Sequence, residues 1–181
     1  MFGEHPQVRI DTAHAELIRA LVMANKPTSV LELGLGGGTA TQAILEGLDY
    51  NQQDHSFTLV DNWLDWNGVV PTQVKEVFGS RIQIVTSNER DFVFATQNRY
   101  DFIVSDADHE RTHLWFDDVY NNLLADSGVL IYHDVNLITH EYPGLAELYY
   151  RCQQRNLRYE LFNRNSRADE RCERGLLVIF K

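Results

Sequence analysis

The stretch Ser29-Val-Leu-Glu-Leu-Gly-Leu-Gly-Gly-Gly-Thr39 decides how the rest of the chain is read. Val30, Leu31 and Leu33 have the apolar character of a short buried strand. Gly34, Gly36, Gly37 and Gly38 follow at once, and Thr39 opens a segment of helical character. A strand that runs through glycines into a helix start makes a ligand loop. Glycine permits positive φ and lets a ligand touch the main chain without meeting a Cβ, and the first helical turn offers unbonded N–H groups. Glu32 qualifies the ligand. Inside the strand, two positions before the first glycine, its carboxylate favours a cationic group and repels a pyrophosphate.

The dinucleotide fingerprint G-x-G-x-x-G needs its third glycine for close packing of helix on strand. Counted from Gly34, that position is Thr39, and the match fails. Read as Glu32-x-Gly34-x-Gly36-x-Gly38, the stretch instead resembles the first motif of class I S-adenosylmethionine-dependent methyltransferases. The resemblance implies that the loop cradles the amino acid part of the cofactor, with Glu32 beside its charged end.

On either side of the loop the pattern is α/β. Apolar positions Leu17, Ile18, Leu21, Val22 and Met23 recur with helical period over residues 12–25, after the possible caps Asp11 and Thr12, and Pro27 stops that helix. Thr39 to Leu48 reads as the next helix and Phe57 to Asn62 as the second strand. Pro71 to Phe78 (helix), Ile82 to Val85 (strand), Tyr100 to Asp106 (strand), Thr112 to Leu124 (helix) and Val129 to Asp134 (strand) continue the alternation. Ala125-Asp-Ser-Gly128 makes the turn into the fifth strand. Repeated strand and helix predict a parallel sheet covered on both faces. Pro143 to Gln154 reads as a helix, and Arg158 to Phe162 and Gly175 to Phe180 as a closing antiparallel pair. A single doubly wound, mostly parallel seven-stranded sheet with an antiparallel last strand is the Rossmann-like architecture of the class I methyltransferases.

In such sheets the ligand lies beyond the carboxyl ends of the strands, and an acid about 20 or more residues after the glycine loop can accept both ribose hydroxyl protons. Asp61 ends strand two, and the resemblance assigns it to the cofactor ribose. Asn88, in Thr86-Ser-Asn-Glu89, lies at the height where the family contacts adenine, and Asp106 is carried over as a further cofactor neighbour. Trp63 and Trp66 in the loop after Asp61 have two open readings, stacking on a ring of the ligand or packing.

Strand four ends in Asp106-Ala-Asp-His-Glu110 and strand five in His133-Asp134. Asp106, His109 and Asp134 are the candidate catalytic residues. His109 is the candidate general base, since imidazole titrates near neutral pH. Asp106, His133 and Asp134 are the candidate ligands of a divalent ion that lowers the pKa of a bound hydroxyl. Carboxylates suit Mg²⁺, whereas a histidine in the shell tilts the site toward Mn²⁺, Zn²⁺ or Fe²⁺. Asp108 reads as a helix N-cap. The spacing of His109, His113 and Asp117 could line one helix face as a second metal site, but solvated or partner-facing side chains are the commoner reading.

The segments Asp106 to His109, Asp126 to Val135 and Arg171 to Val178 look like a subgroup of small O-methyltransferases that includes sugar-modifying enzymes. They are also similar to the catechol and caffeoyl-coenzyme A type, in which an Asp after strand four and an Asp-Asn pair after strand five hold the metal. His133-Asp134 stands where that pair would be. The implied reaction is methyl transfer from S-adenosylmethionine to a hydroxyl of a small molecule. Two rivals stay open: a metal-dependent hydrolase using Asp106, Asp108, His109, His133 and Asp134, and a non-catalytic cofactor-binding partner subunit.

The 181 residues carry a net charge of −10, which argues against nucleic acid or an anionic membrane as partner. No apolar run approaches the roughly 18 residues of a membrane span, no signal peptide is evident, and Cys152 and Cys172 form no metal-type cluster. The expectation is a single cytoplasmic domain that acts on small molecules, its pocket completed by mobile loops or a second subunit of a homo-oligomer. The tail from 151 to 181 holds 8 basic and 4 acidic residues, seven of the basic ones arginines. A solvated segment and an arginine patch for an acidic substrate or partner are both open.

Overall fold

The computed structural model describes residues 12–64, 71–137, 142–163 and 175–181. Strands β1 (Ser29–Leu33), β2 (Ser56–Asp61), β3 (Gln83–Thr86), β4 (Tyr100–Ser105), β5 (Leu124–His133), β6 (Arg158–Asn163) and β7 (Gly175–Phe180) form one sheet in the order β3-β2-β1-β4-β5-β7-β6. The first five are parallel, and β7 runs antiparallel to both β5 and β6. This is the expected doubly wound sheet. The strand order reverses between β1 and β4, so the loops after these two strands diverge and open a crevice between them.

Alternation along the strands divides the core. Val30, Phe57, Leu59, Phe102, Val104, Val129, Ile131 and Val178 face α1 (Thr12–Asn25), α2 (Thr39–Asn51) and α3 (Pro71–Phe78). Leu31, Leu33, Val60, Ile103, Leu130 and Leu177 face α4 (Glu89–Ala95), α5 (Phe116–Asp118) and α6 (Pro143–Gln154). The period of two then fixes the polar residues that end these runs. Glu32 alternates onto the α1/α2 face, and so does His133, two positions past Ile131.

Two contacts hold the frame that carries the site. Asp101, near the start of β4, accepts from Thr28 N, Thr28 Oγ1 and Ser29 N at 2.9, 2.8 and 3.1 Å, fastening β4 to the entry of β1. Gly47 lets α1 lie close on α2, since a Cβ there would come within 2.7 Å of Val22 Cγ1.

Local differences from the sequence reading are instructive. Helix α2 runs to Asn51 rather than Leu48, and Asn51 Nδ2 donates to Val22 O at 3.0 Å, binding its end to α1. The segment 112–123 is one irregular helical run: a 3₁₀ turn at Thr112–Trp115, a single α-turn, and a π-wound end at Val119–Leu123. The expected turn at 125–128 is an insertion within β5, between the pairs Tyr100/Leu124 and Phe102/Val129. The short helix α4 was not expected; Asn88 caps it by accepting from Asp91 N at 2.8 Å. Asp11, Trp66, Cys172, Arg164, Arg167, Arg171 and Arg174 lie outside the described residues.

Candidate active site

A cavity of about 1160 Å³ opens over the carboxyl ends of the strands. Gly34, Gly36, Asp61, Asn88, Asp106 and His109 are on its wall. Glu32, Gly38, His133 and Asp134 are buried and do not line it.

The glycine loop has the backbone its sequence demands: Gly34, Gly36 and Gly38 take φ of 87°, 51° and 75°. Gly34 has a second duty. A Cβ there would lie 2.6 Å from the carbonyl oxygen of Asp106, so this glycine lets the end of β4 press against the loop. Asp106 N donates to Leu33 O at 2.8 Å across the same join. Asp61 accepts from Leu35 N through Oδ2 (2.8 Å) and from Trp63 N through Oδ1 (2.7 Å). Each oxygen keeps a further lone pair for a ligand hydroxyl. Trp63 packs against the core and donates from Nε1 to Thr86 Oγ1 at 3.1 Å, which favours the packing reading for this ring. Asn88 reaches the cavity with its side chain engaged by Asp91.

Glu32 is 0% exposed and accepts from Thr41 Oγ1 at 2.8 Å, while its Oε1 has no hydrogen-bond partner among the described residues. Burial pushes its carboxyl well above the ordinary range; the Thr41 bond opposes this, and the charges of Asp106 and Asp61 add to it. A cation nearby would reverse the sign of that environment. Thr41, from the second position after the helix start, is a partner that the glycine motif alone does not reveal.

At the ends of β4 and β5 the side chains hold one another. His109 Nε2 lies 3.1 Å from Asp106 Oδ1 and 3.8 Å from Asp134 Oδ2. His133 Nδ1 lies 3.2 Å from Asp106 Oδ1 and 3.2 Å from Asp134 Oδ1. Burial works against ionised Asp106, but the charges and hydrogen bonds of His133 and His109 hold it below the usual carboxylate range. Burial likewise lowers His109, yet the hydrogen bond and charge of Asp106 and the charge of Asp134 leave it above an ordinary imidazole. Asp134 has φ of 59°. That left-handed geometry is costly outside glycine and is found where surrounding structure enforces it.

Asp106, His133 and Asp134 each offer one donor atom within 4.8 Å of the others, and among the described residues no other such trio occurs. The donor set fits a divalent ion. Asp108 is not part of it: Oδ1 accepts from Arg111 N at 3.0 Å and Oδ2 from Arg111 Nε at 2.8 Å, which holds the turn ahead of the helical run, while the N-cap position expected of Asp108 is taken by Arg111. The irregular winding of 112–118 breaks the helical spacing of His109, His113 and Asp117, and Asp117 pairs with Arg155.

Two residues at this site carried no motif. His14 meets His133 from α1, and the Tyr142 ring lies 4.8 Å from that of His109. His14 does extend the buried stripe Ile18 and Val22 by one turn, and a histidine on an apolar helix face is the signal that could have pointed to it. The arginines of the tail serve the body where they are described. Arg151 donates to His113 O at 2.8 Å, and Arg158 lies 4.8 Å over the Phe180 ring.

Residues 31–135 match a family model described as a methyltransferase domain. No curated protein matches the sequence. Solved structures resemble it throughout. An O-methyltransferase from Bacillus cereus in complex with SAH is 17% identical, with a TM-score of 0.76 over 97% of this chain and 84% of that one. The SAH-bound methyltransferase PaMTH1 of Podospora anserina is 15% identical (TM-score 0.72; 98% and 83% covered). The O-methyltransferase TomG of Streptomyces achromogenes, involved in tomaymycin synthesis and in complex with SAM, is 12% identical (TM-score 0.74; 97% and 83%). At these identities the likeness is one of fold.

Proposed function

The chain belongs to the methyltransferase-domain family, and from that premise we propose that it moves the methyl group of S-adenosylmethionine to a hydroxyl of a small molecule. The observation that carries this reading is that the glycine loop, Asp61, Asp106 and His109 share one cavity wall. When bound, the cofactor supplies a methyl on a sulfonium; the acceptor oxygen bonds to that carbon as the C–S bond breaks and its electron pair returns to sulfur. The glycine loop holds the amino acid end, with Glu32 as the buried counter-charge, and Asp61 receives the ribose hydroxyls. Holding the two reactants in line is the larger part of the catalysis.

His109 removes the proton. With Nε2–H donating to Asp106, the neutral ring keeps its lone pair on Nδ1, and Nδ1 takes the hydroxyl proton while Asp106 steadies the imidazolium. Tyr142 limits the tilt of the ring. Asp106, His133 and Asp134 would hold a divalent ion, which supplies a Lewis acid for the acceptor oxygen. The rival hydrolase cluster is weakened because Arg111 occupies Asp108.

The test is transfer of a labelled methyl group from S-adenosylmethionine to a panel that starts with catechols and sugars, with products located by mass spectrometry. An O-methyl product is expected. Tight cofactor binding with no transfer to any acceptor would favour the non-catalytic subunit, and phosphoester cleavage abolished by chelation would favour the hydrolase.

A further inference from the structure

The end of β5 is backed by a residue 119 positions away in sequence. His14 Nδ1 lies 3.2 Å from His133 Nε2, with the rings 5.3 Å apart and inclined at 80°. The two residues are 2% and 1% exposed. Their meeting is built into the fold: alternation turns His133 toward α1, and the close approach of Val22 to Gly47 seats α1 beside α2 on that face of the sheet.

An imidazole that binds a metal through one nitrogen needs an acceptor for the N–H on the other, and such outer partners fix tautomer and ring orientation. His133 presents Nδ1 to Asp106 and Asp134, and Nε2 to His14. The pair of carboxylates with one imidazole suits a transition ion more than Mg²⁺. Resting on the metal reading above, we propose that His14 is the positioning residue of a divalent transition-metal site formed by Asp106, His133 and Asp134: it accepts from His133 Nε2–H, so that the ion can take the place of the Nδ1 proton that the two carboxylates otherwise face. The site is thereby closed by the first described helix, from the face opposite α4 to α6.

The test uses the full chain and Mn²⁺, titrated calorimetrically, with Co²⁺ as a second probe read by its visible absorption. Wild-type protein should take up one Mn²⁺ per chain, more tightly than Mg²⁺. His14→Phe, which keeps a ring and loses the acceptor, should weaken Mn²⁺ by about 10–100-fold and alter the Co²⁺ spectrum. His14→Asn, whose amide oxygen can accept the same N–H, should recover most of the affinity, and S-adenosylmethionine titrated into the same samples should bind all three proteins alike. Mn²⁺ affinity unchanged in His14→Phe, or lost equally in a folded His14→Asn, would overturn the role of His14. A wild-type protein that binds S-adenosylmethionine but prefers Mg²⁺ or binds no metal would overturn this inference while leaving the methyltransferase reading intact; one that binds Mn²⁺ but no cofactor would do the reverse.

Discussion

The carboxyl ends of β1 and β2 and those of β4 and β5 are built by different means. At the first, main chain does the work. Glycines hold positive φ, and the side chain of Asp61 is fixed by N–H groups of Leu35 and Trp63. At the second, titratable side chains from β4, β5, α1 and the loop at His109 hold one another, with Asp106 Oδ1 shared by two imidazoles. A backbone cradle suits recognition of a fixed ligand. A network of charges suits a site whose protons must move. Gly34 joins the two, since only the absence of its Cβ lets Asp106 close on the loop.

The division is broken most forcefully from the chemical side. His109→Ala should lower turnover by about 10²–10⁴-fold and leave cofactor affinity nearly unchanged; steady-state kinetics beside a binding titration separates the two. Equal loss of both would mean that the halves are not distinct. Next in size is Asp61→Ala. Removing a carboxylate that anchors the loop, and for which we propose contact with the ribose hydroxyls, should weaken S-adenosylmethionine by about 100-fold, with Mn²⁺ affinity retained.

Gly34→Ala attacks the join. Positive φ and a Cβ 2.6 Å from a backbone carbonyl should cost about 2–3 kcal/mol in urea unfolding, and both cofactor and metal affinity should fall. A variant as stable as wild type would show that the approach of β4 can relax.

The smallest effect sharpens the role of Glu32. Burial raises its folded-state pKa above the unfolded value. The folded protein therefore binds an extra proton between those two values, and stability falls as pH rises through that window. Glu32→Gln should flatten this limb of the thermal unfolding profile. A cationic ligand favours the carboxylate, so cofactor binding within the window should release a proton. Calorimetry in buffers of different ionisation enthalpy would detect it, and proton uptake would contradict the assignment.

The same contrast explains what the sequence made legible. The glycine loop, Asp61 and the strand-end acids depend on spacing within one unit of strand and helix, and alternation along β1 and β5 carries their orientation. The parallel sheet follows from repeated strand and helix, and Arg158 to Phe162 with Gly175 to Phe180 did close it as an antiparallel pair. His14 was not legible, because nothing local tells a buried polar helix residue which strand end it will meet. Nor was the network of Glu89, which accepts from Ser105 Oγ, Thr112 Oγ1 and Asp108 N at 3.0, 2.9 and 3.1 Å and ties α4 to the loop that carries His109. Trp63 was ambiguous for the same reason: only the position of Thr86 across the sheet decides its hydrogen bond.

Whether this cavity holds S-adenosylmethionine is decided by calorimetric titration of the wild-type chain with S-adenosylmethionine and S-adenosylhomocysteine. One site per chain is expected, with dissociation constants on the order of micromolar for both. Folded protein that binds neither would contradict it.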